Sequence, residues 1–447
     1  MPADDRSAGF GEFVLAAHRR GKLVVQPRMG FSDPATMRRG LLATRHAGPT
    51  TVGTLTLDSF TRTGRHDDAR ACLAGGIELN GYPIVAHGAA TTAAVLDGVA
   101  GGSFPVQVRH GCAQPEEIID VLLRAGLDAT EGGPVSYCLP YGRTPLRESV
   151  RSWQRCCDLL AAHRPAAAHP PAEVHRPAAA RRPHLETFGG CLMGQLCPPS
   201  LLVAVSVLEA LFFRHHGIDD ISLSYAQQTH PVQDEEALHA LRRLAGELLA
   251  GVSWHIVVYT YMGVFPRTPA GARLLGAQAA RLAVRAGAAR LIVKTAAEAY
   301  RIPSIEENVA ALREAAAAAE DAVPAPGTPE AGAARDSQTY AEARALVDEV
   351  RQLHADPGRA LLLAFERGVL DVPFCLHPDN RGRSRAYLDA AGWLRWSELG
   401  ALPLRGIAEP GRASPLTSAE LLDSLHHVQR TFDRAASDPT RAPAPIG

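Results

Sequence analysis

Arginines stand where short apolar runs stop. "FPVQVRHG" at residues 104–111 leaves Arg109 and His110 at its end, and "LVVQPRMG" at residues 23–30 leaves Arg28 in the equivalent place. "TVGTLTLDSFTR" at residues 51–62 ends its run at Asp58, with Arg62 just beyond. Any one of these arginines reads as a surface ion pair or a rim contact, because arginine is mostly exposed. Three at successive run ends read as one shared site. A guanidinium stays charged at any working pH and grips carboxylates through paired, parallel hydrogen bonds. Three of them suit a ligand with more than one anionic group. No Gly-rich phosphate loop and no G-x-x-x-x-G-K-[ST] pattern occurs, so a dicarboxylate fits better than a phosphate. Glu131, in "TEGGPVSYCLPY" at residues 130–141, adds a carboxylate that can hold an ammonium group or take its proton. Tyr137 and Tyr141 follow in the same turn-rich stretch, where core packing and ligand contact are equally open to them. The ligand this suggests is an acidic amino acid.

Conventional catalytic equipment is missing. The sequence has no G-x-S-x-G elbow, no H-E-x-x-H and no histidine cluster of convincing metal spacing, so no metal site is expected. "RHHG" at residues 214–217 reads as a helix end. A firm grip without nucleophile or metal points to a cofactor for the hard chemistry. Composition narrows the partners. Lys+Arg 46 against Asp+Glu 47 gives a net charge of -1, which supports neither nucleic acid nor an anionic membrane as a partner. The first residues lack a signal peptide's charge order, and no apolar run nears the roughly 20 residues of a membrane span. The eight cysteines are scattered, only Cys156 and Cys157 being adjacent, as in a reduced, cytoplasmic protein.

The elements that must carry these residues alternate in type for about 300 residues, as strand-like runs separated by amphipathic patterns such as "PEEIIDVLLRAG". The runs are "LVVQPR", "TVGTLTLD", "PIVAHG", "FPVQVRHG", "LDATEGG", "DISLSYAQ", "WHIVVYTYMG" and "ARLIVKTA". They are mostly unalternated, as strands buried on both faces should be. About eight strand–helix repeats predict an α/β fold, a (β/α)8 TIM barrel, with "HLETFGG" as a ninth candidate that leaves the register open. The strand ends then present Arg28, Asp58, Arg62, His87, Arg109, His110, Glu131, Gln227, Met262 and Lys294 to one barrel face. The barrel is expected over residues 1–314, with a Pro-, Ala-, His- and Arg-rich surface insertion at residues 161–184. A linker at residues 315–337 precedes a smaller C-terminal α+β region at residues 338–447, helical with irregular pieces.

The ordered stretches "QPRMG", "DSFTRTGRHDD", "LNGYP", "VQVRHG", "EGGPVSYCLPY", "CPPS", "YMGVFP", "IVKTAAEAYRIP" and "FERGVLDVPF" run from about Lys22 to about Leu404. Through them the chain resembles the large catalytic subunit, or epsilon chain, of coenzyme B12-dependent glutamate mutase (methylaspartate mutase). The resemblance implies an isomerase that interconverts L-glutamate and L-threo-3-methylaspartate. An adenosyl radical from adenosylcobalamin takes a substrate hydrogen, and the substrate fragments to a glycyl radical and acrylate before recombining. It also implies that Arg28, Arg62 and Arg109 clamp the two carboxylates. Glu131 sits by the substrate amine as the catalytic group, and Tyr137, Tyr141 and Phe188 touch substrate. Lys294 and Glu298 match positions that hold the adenosyl ribose, and Gly30, Thr56, Asn80 and Met262 match the cofactor side.

The chain departs from that pattern in several places. The N-terminal extension is short, the insertion at residues 161–184 is unusual, Pro134 replaces a glycine of an E-G-G-G run, and Tyr259 stands where histidine is common. No D-x-H-x-x-G motif occurs, so the expected partner is a separate small cobalamin-binding subunit carrying it, and a homodimer of the large chain is expected by resemblance. Two other readings stay open: a paralogous mutase for another acidic amino acid, and a non-catalytic dicarboxylate-binding barrel. Lys294 and Glu298 argue against the last, since a sensor has no need of ribose contacts.

Overall fold

Eight short segments pair side by side, all parallel: β1 (Val24–Pro27), β2 (Gly53–Thr56), β3 (Val106–Arg109), β4 (Ala129–Gly132), β5 (His184–Thr187), β6 (Asp220–Ala226), β7 (Ser253–Tyr259) and β8 (Arg290–Val293). This is a computed structural model, and it describes residues 9–140, 142–163, 182–322, 337–411 and 416–438. The strand order is β1-β8-β7-β6-β5-β4-β3-β2, and β1 meets the start of β2 through a parallel bridge between Val25 and Thr51. The sheet therefore rounds into a (β/α)8 barrel, ringed by helices that include Pro34–Arg45, Glu116–Arg124, Leu146–Ala162, Pro199–His215, Pro231–Leu248, Pro269–Arg285 and Ile305–Glu320.

Two strand expectations change. "PIVAHG" is not a strand: Pro83 caps the helix Ile84–Leu96. The sheet touches this stretch only at Tyr82, bridged to Leu57, and the alanine-rich residues that follow favour helix. A four-residue apolar run fits strand and helix equally well until its neighbours decide. His87 consequently leaves the barrel mouth, and its Nε2 lies 2.7 Å from the Ser32 carbonyl oxygen. "HLETFGG" supplies the strand in its place, as β5. Its first residue, His184, falls within the expected insertion; residues 164–181 of that segment lie outside the described residues.

The strands also alternate, contrary to the expectation of continuous apolar runs. Val25, Leu55, Val108, Leu185, Ile221 and Leu291 belong to the hydrophobic core. Their sequence neighbours Gln26, Thr54, Gln107, Glu186, Ser222 and Arg290 are buried and bonded to one another inside the barrel. Period two puts successive side chains on opposite faces, so a polar interior forces alternation even when both faces are buried. The helix Phe10–Arg19 closes the N-terminal end. The Phe10 ring lies 4.9 Å from that of His184 and 4.9 Å from the Arg290 guanidinium.

The C-terminal region packs on the barrel's outer helices. Helices Gln338–Leu353 and Pro357–Arg367 lie against Pro199–His215, and an antiparallel pair, Arg385–Leu388 with Leu394–Glu398, follows. Trp396 Nε1 and Ser200 Oγ donate to the same carboxylate oxygen of Glu342, at 3.0 and 2.6 Å. The expected boundary at residue 314 falls inside the helix Ile305–Glu320, and residues 323–336 of the expected linker lie outside the described residues. Among the described residues no helix is long and apolar enough to cross a membrane.

Candidate active site

At the C-terminal end of the barrel a cavity of about 190 Å³ is lined by Arg28, Arg62, Arg109, Glu131, Tyr137 and Phe188. It is smaller than the roughly 300–1,000 Å³ of drug-sized pockets, and so suits one small molecule. The three arginines reach it from different elements. Arg28 follows β1, Arg109 ends β3, and Arg62 closes the helical turn Ser59–Arg62 after β2. That turn is set by Asp58, whose Oδ1 accepts from the Phe60 and Thr61 amides at 2.9 and 3.0 Å. Asp58 thus caps a helix and serves the site through Arg62, whose Nε donates back to the Leu57 carbonyl at 2.9 Å. Thr56 and Met262 also line the cavity.

Several donors here point at nothing. Among the described residues, Arg28 Nε, Arg109 Nη1, His110 Nε2 and the Thr56 hydroxyl are buried without a hydrogen-bond partner, and all four residues line this cavity. A buried polar group without a partner costs about 1–3 kcal/mol, more if charged. Several such groups converging on one hollow are the signature of a ligand's acceptors. Burial, then the Arg62 guanidinium, push the His110 imidazole down to about 3, so it is neutral. Its Nδ1 accepts from the Cys112 amide at 3.1 Å, which leaves Nε2 carrying the proton.

Glu131 anchors the floor. Its Oε2 accepts from Arg109 Nε at 2.8 Å and from the Tyr259 hydroxyl at 2.6 Å, and its Oε1 accepts from the Tyr137 hydroxyl. Burial alone would lower the Arg109 pKa; Glu131 beside it, followed by Tyr259 and Tyr137, outweighs that and holds it well above the ordinary value. Phe188 packs against Tyr137 and Tyr259, with ring centroids 4.8 and 5.6 Å apart, and shields this charge pair from water. Tyr141 lies outside the described residues.

Lys294, Glu298, Asn80 and Gly30 do not line this cavity but are linked to residues that do. Lys294 and Glu298 follow β8, and Glu298 Oε2 accepts from Arg28 Nη1 at 2.7 Å and lies 3.9 Å from Lys294 Nζ. Burial lowers the Lys294 amine to about 8, with Glu298 opposing the shift and Arg28 adding to it. Asn80 Oδ1 accepts the Ser59 amide at 2.9 Å and so ties down the turn that carries Arg62. At Gly30 any Cβ would lie 2.0 Å from the Thr56 carbonyl oxygen, so only glycine lets the ends of β1 and β2 meet here. Gln227, also expected at a strand end, pairs with Gln278 at 3.1 Å instead of facing the cavity.

Sequence reading missed the residue that holds the loops in place. Glu209, on the apolar helix Pro199–His215, accepts from the Val135, Ser136, Phe188 and Gly189 amides at 3.2, 2.9, 3.2 and 2.9 Å. One carboxylate therefore fixes the loops bearing both Tyr137 and Phe188. Burial raises Glu209 to about 7 against these hydrogen bonds. A Cβ at Gly133 would strike this carboxylate at 2.1 Å, which explains a second obligatory glycine. The signal was present: an acid inside "LLVAVSVLEALFF" has no reason to be there without partners. The C-terminal region braces the same β4 loop, His377 Nε2 lying 3.0 Å from the Thr144 carbonyl and Arg143 Nη1 donating to the Leu376 carbonyl at 2.6 Å. Away from the cavity, His215, His216 and Asp356 bring ligand atoms within 4.8 Å of one another at the helix end.

The family model described as methylaspartate mutase E chain (MutE) matches residues 5–412. A glutamate mutase epsilon subunit of Escherichia coli O157:H7 is 29% identical over 412 residues, covering 88% of this chain and 81% of that protein. One from Yersinia enterocolitica is 30% identical over 414 residues, covering 89% and 82%. One from Haloarcula marismortui is 30% identical over 405 residues, covering 88% and 79%.

Proposed function

Because the chain belongs to the methylaspartate mutase E chain family, and so is a mutase subunit and an isomerase, we propose that it interconverts L-glutamate and L-threo-3-methylaspartate by a radical fragmentation and recombination dependent on adenosylcobalamin. The observation that carries this reading is the convergence of Arg28, Arg62 and Arg109 on one small cavity with unpartnered donors on two of them. The arginines bind the two carboxylates, and Glu131 holds the ammonium group. Tyr137 and Phe188 close the floor. Fixed charges at both ends keep the two substrate fragments close to their recombination geometry, where orientation is worth about 7 kcal/mol or more. The enclosed barrel end keeps water from reactive species.

Residues lining the cavity and next to Arg28 fit the cofactor. The unpartnered Thr56 hydroxyl, Met262, and the Lys294–Glu298 pair beside Arg28 offer donors and an acceptor for ribose hydroxyls at the barrel mouth. When bound there, adenosylcobalamin supplies the hydrogen-abstracting adenosyl group. The chain has no D-x-H-x-x-G motif, so a separate small subunit carrying that motif is proposed to hold the corrin, with the large chain as a homodimer in the cytoplasm.

The test mixes the purified chain, a small D-x-H-x-x-G protein, adenosylcobalamin and L-glutamate. Methylaspartate is the expected product, and Arg109→Lys is expected to weaken both glutamate binding and turnover, because a point-charge ammonium cannot reproduce the paired contacts. Absence of product, together with an Arg109→Lys chain that binds glutamate normally, would overturn the reading.

A further inference from the structure

The Tyr259 hydroxyl, at the end of β7, lies between two buried carboxylates. It is 2.6 Å from Glu131 Oε2 and also in hydrogen-bond contact with Glu186 Oε1. A phenol has one proton and donates one hydrogen bond. Whichever carboxylate receives it, the other oxygen faces the phenol's lone pair. In a buried site two acceptors in contact cost the full desolvation of both, with nothing returned.

Both acids already take other donors. Glu131 takes Arg109 Nε and the Tyr137 hydroxyl. On Glu186, Oε2 takes Arg290 Nη2, Gln107 Nε2 at 3.2 Å and Ser222 Oγ at 3.0 Å. Ionising the phenol does not resolve the conflict. Burial, together with Glu131 and Glu186, holds Tyr259 well above its ordinary value, and Arg109 offsets this only in part. The groups facing the trio are Arg109 from β3, Tyr137 from the loop after β4, Cys191 after β5 and Arg290 from β8. Burial would raise the Glu186 carboxyl, but Arg290, then the Tyr259 hydrogen bond and Arg109, outweigh it and hold it below its ordinary range, so Glu186 is the carboxylate that accepts from Tyr259.

We propose that Glu131, Tyr259 and Glu186 share one proton beyond the phenol's own, so that one carboxyl donates to Tyr259 while Tyr259 donates to the other. Two arginines then face a single negative charge. The cluster carries one excess positive charge, which suits an entering diacid. The second half of the inference rests on the functional reading above. When the ligand's ammonium group donates to Glu131, the shared proton leaves as a hydrogen ion to solvent, and Glu131 returns to a carboxylate. Tyr259 is thus a positioning residue that acts through Glu131, and the protons of the pair belong to the cluster rather than to either acid.

The experiment is an infrared difference spectrum of the ligand-free chain at neutral pH, wild type minus Tyr259→Phe. Two other acids that burial raises, Glu209 to about 7 and Asp234 on the helix Pro231–Leu248 to about 8, contribute equally to both proteins and cancel. A protonated-carboxyl carbonyl band in the wild type alone is the expected result, with the same band lost in Glu186→Gln should Tyr259→Phe fold poorly. No such band, or one that survives both substitutions, overturns the proposal whatever the enzyme's activity. Calorimetry of L-glutamate binding, in buffers of different ionisation enthalpy, should then show release of about one proton by the wild type and none by Tyr259→Phe. A free-chain band with no proton release on glutamate binding overturns the displacement step and counts against glutamate as the ligand, while the shared proton stands.

Discussion

Two buried arginine–glutamate pairs sit in this barrel, one above the other, and they differ in what they leave over. Arg290 and Glu186 are both fully buried in the interior, and every nitrogen of the guanidinium has a partner: Nε faces His255, Nη1 faces Gln26 and Gln107, and Nη2 faces Glu186 and Ser222. Arg109 and Glu131 are nearly as buried, at 4% and 2% exposure, yet Arg109 Nη1 is without a partner and opens on a cavity. The residue types are identical. Saturation makes the lower pair part of the scaffold, and its lack is what marks the upper pair for the proposed binding role. A buried ion pair alone is weak evidence for function, since desolvation can exceed the Coulombic gain. The unspent donor is the informative feature.

The comparison breaks if the two pairs respond alike to substitution. Arg109→Met should cut turnover of the assembled enzyme by roughly a thousandfold or more, because orientation terms reach about 7 kcal/mol. Its effect on urea unfolding should be smaller, since Glu131 keeps its hydrogen bonds with Tyr137 and Tyr259. Arg290→Met should reverse the balance. Stranding Glu186 without its partner should cost about 3–5 kcal/mol of unfolding free energy, much of it recovered by adding Glu186→Gln. Equal stability losses in the two single variants would mean that the upper pair is scaffold as well.

A third element sharpens the contrast, because Glu209 is buried with backbone donors and no arginine. Its folded-state pKa is raised from the usual 4.5 to about 7, so the folded chain binds the extra proton between those values. Its contribution to stability is therefore fully present below pH 4.5 and is lost as pH rises through about 7. Unfolding titrations should show up to about 3 kcal/mol of this dependence in the wild type, and a flatter profile in Glu209→Gln. The smallest expected effect is at Lys294. Its amine should titrate near 8, and Arg28→Gln should raise that midpoint, because Arg28 is the charge that lowers it after burial. NMR of the labelled amine reads this directly, Lys22 being the chain's other lysine. An unchanged midpoint would separate Lys294 from the arginine cluster.

Much of the site was legible because barrel strands end in predictable places. Arg28 and Arg109 close their apolar runs, Glu131 stands near the end of "LDATEGG", and a parallel barrel gathers such ends on one face. Lys294 carried a further signal, as one of two lysines in a chain that otherwise uses arginine. Glu186 and Arg290 were harder to place. They lie inside "HLETFGG" and "ARLIVKTA", and a charge within a strand takes its meaning from its position around the barrel. His87 misled for the converse reason, since "PIVAHG" has a strand's composition without a strand's partners.

By itself, the sequence determined the parallel barrel, the convergence of charged run ends and the kind of ligand such charges suit, because these follow from local periodicity and side-chain chemistry. The tertiary structure alone decided which cavity arginines keep a free donor, which acid fixes the loops and which two carboxylates meet at Tyr259. Those outcomes depend on atoms from strands far apart in the chain arriving within 3 Å or so of one another, and only closure of the barrel sets that distance.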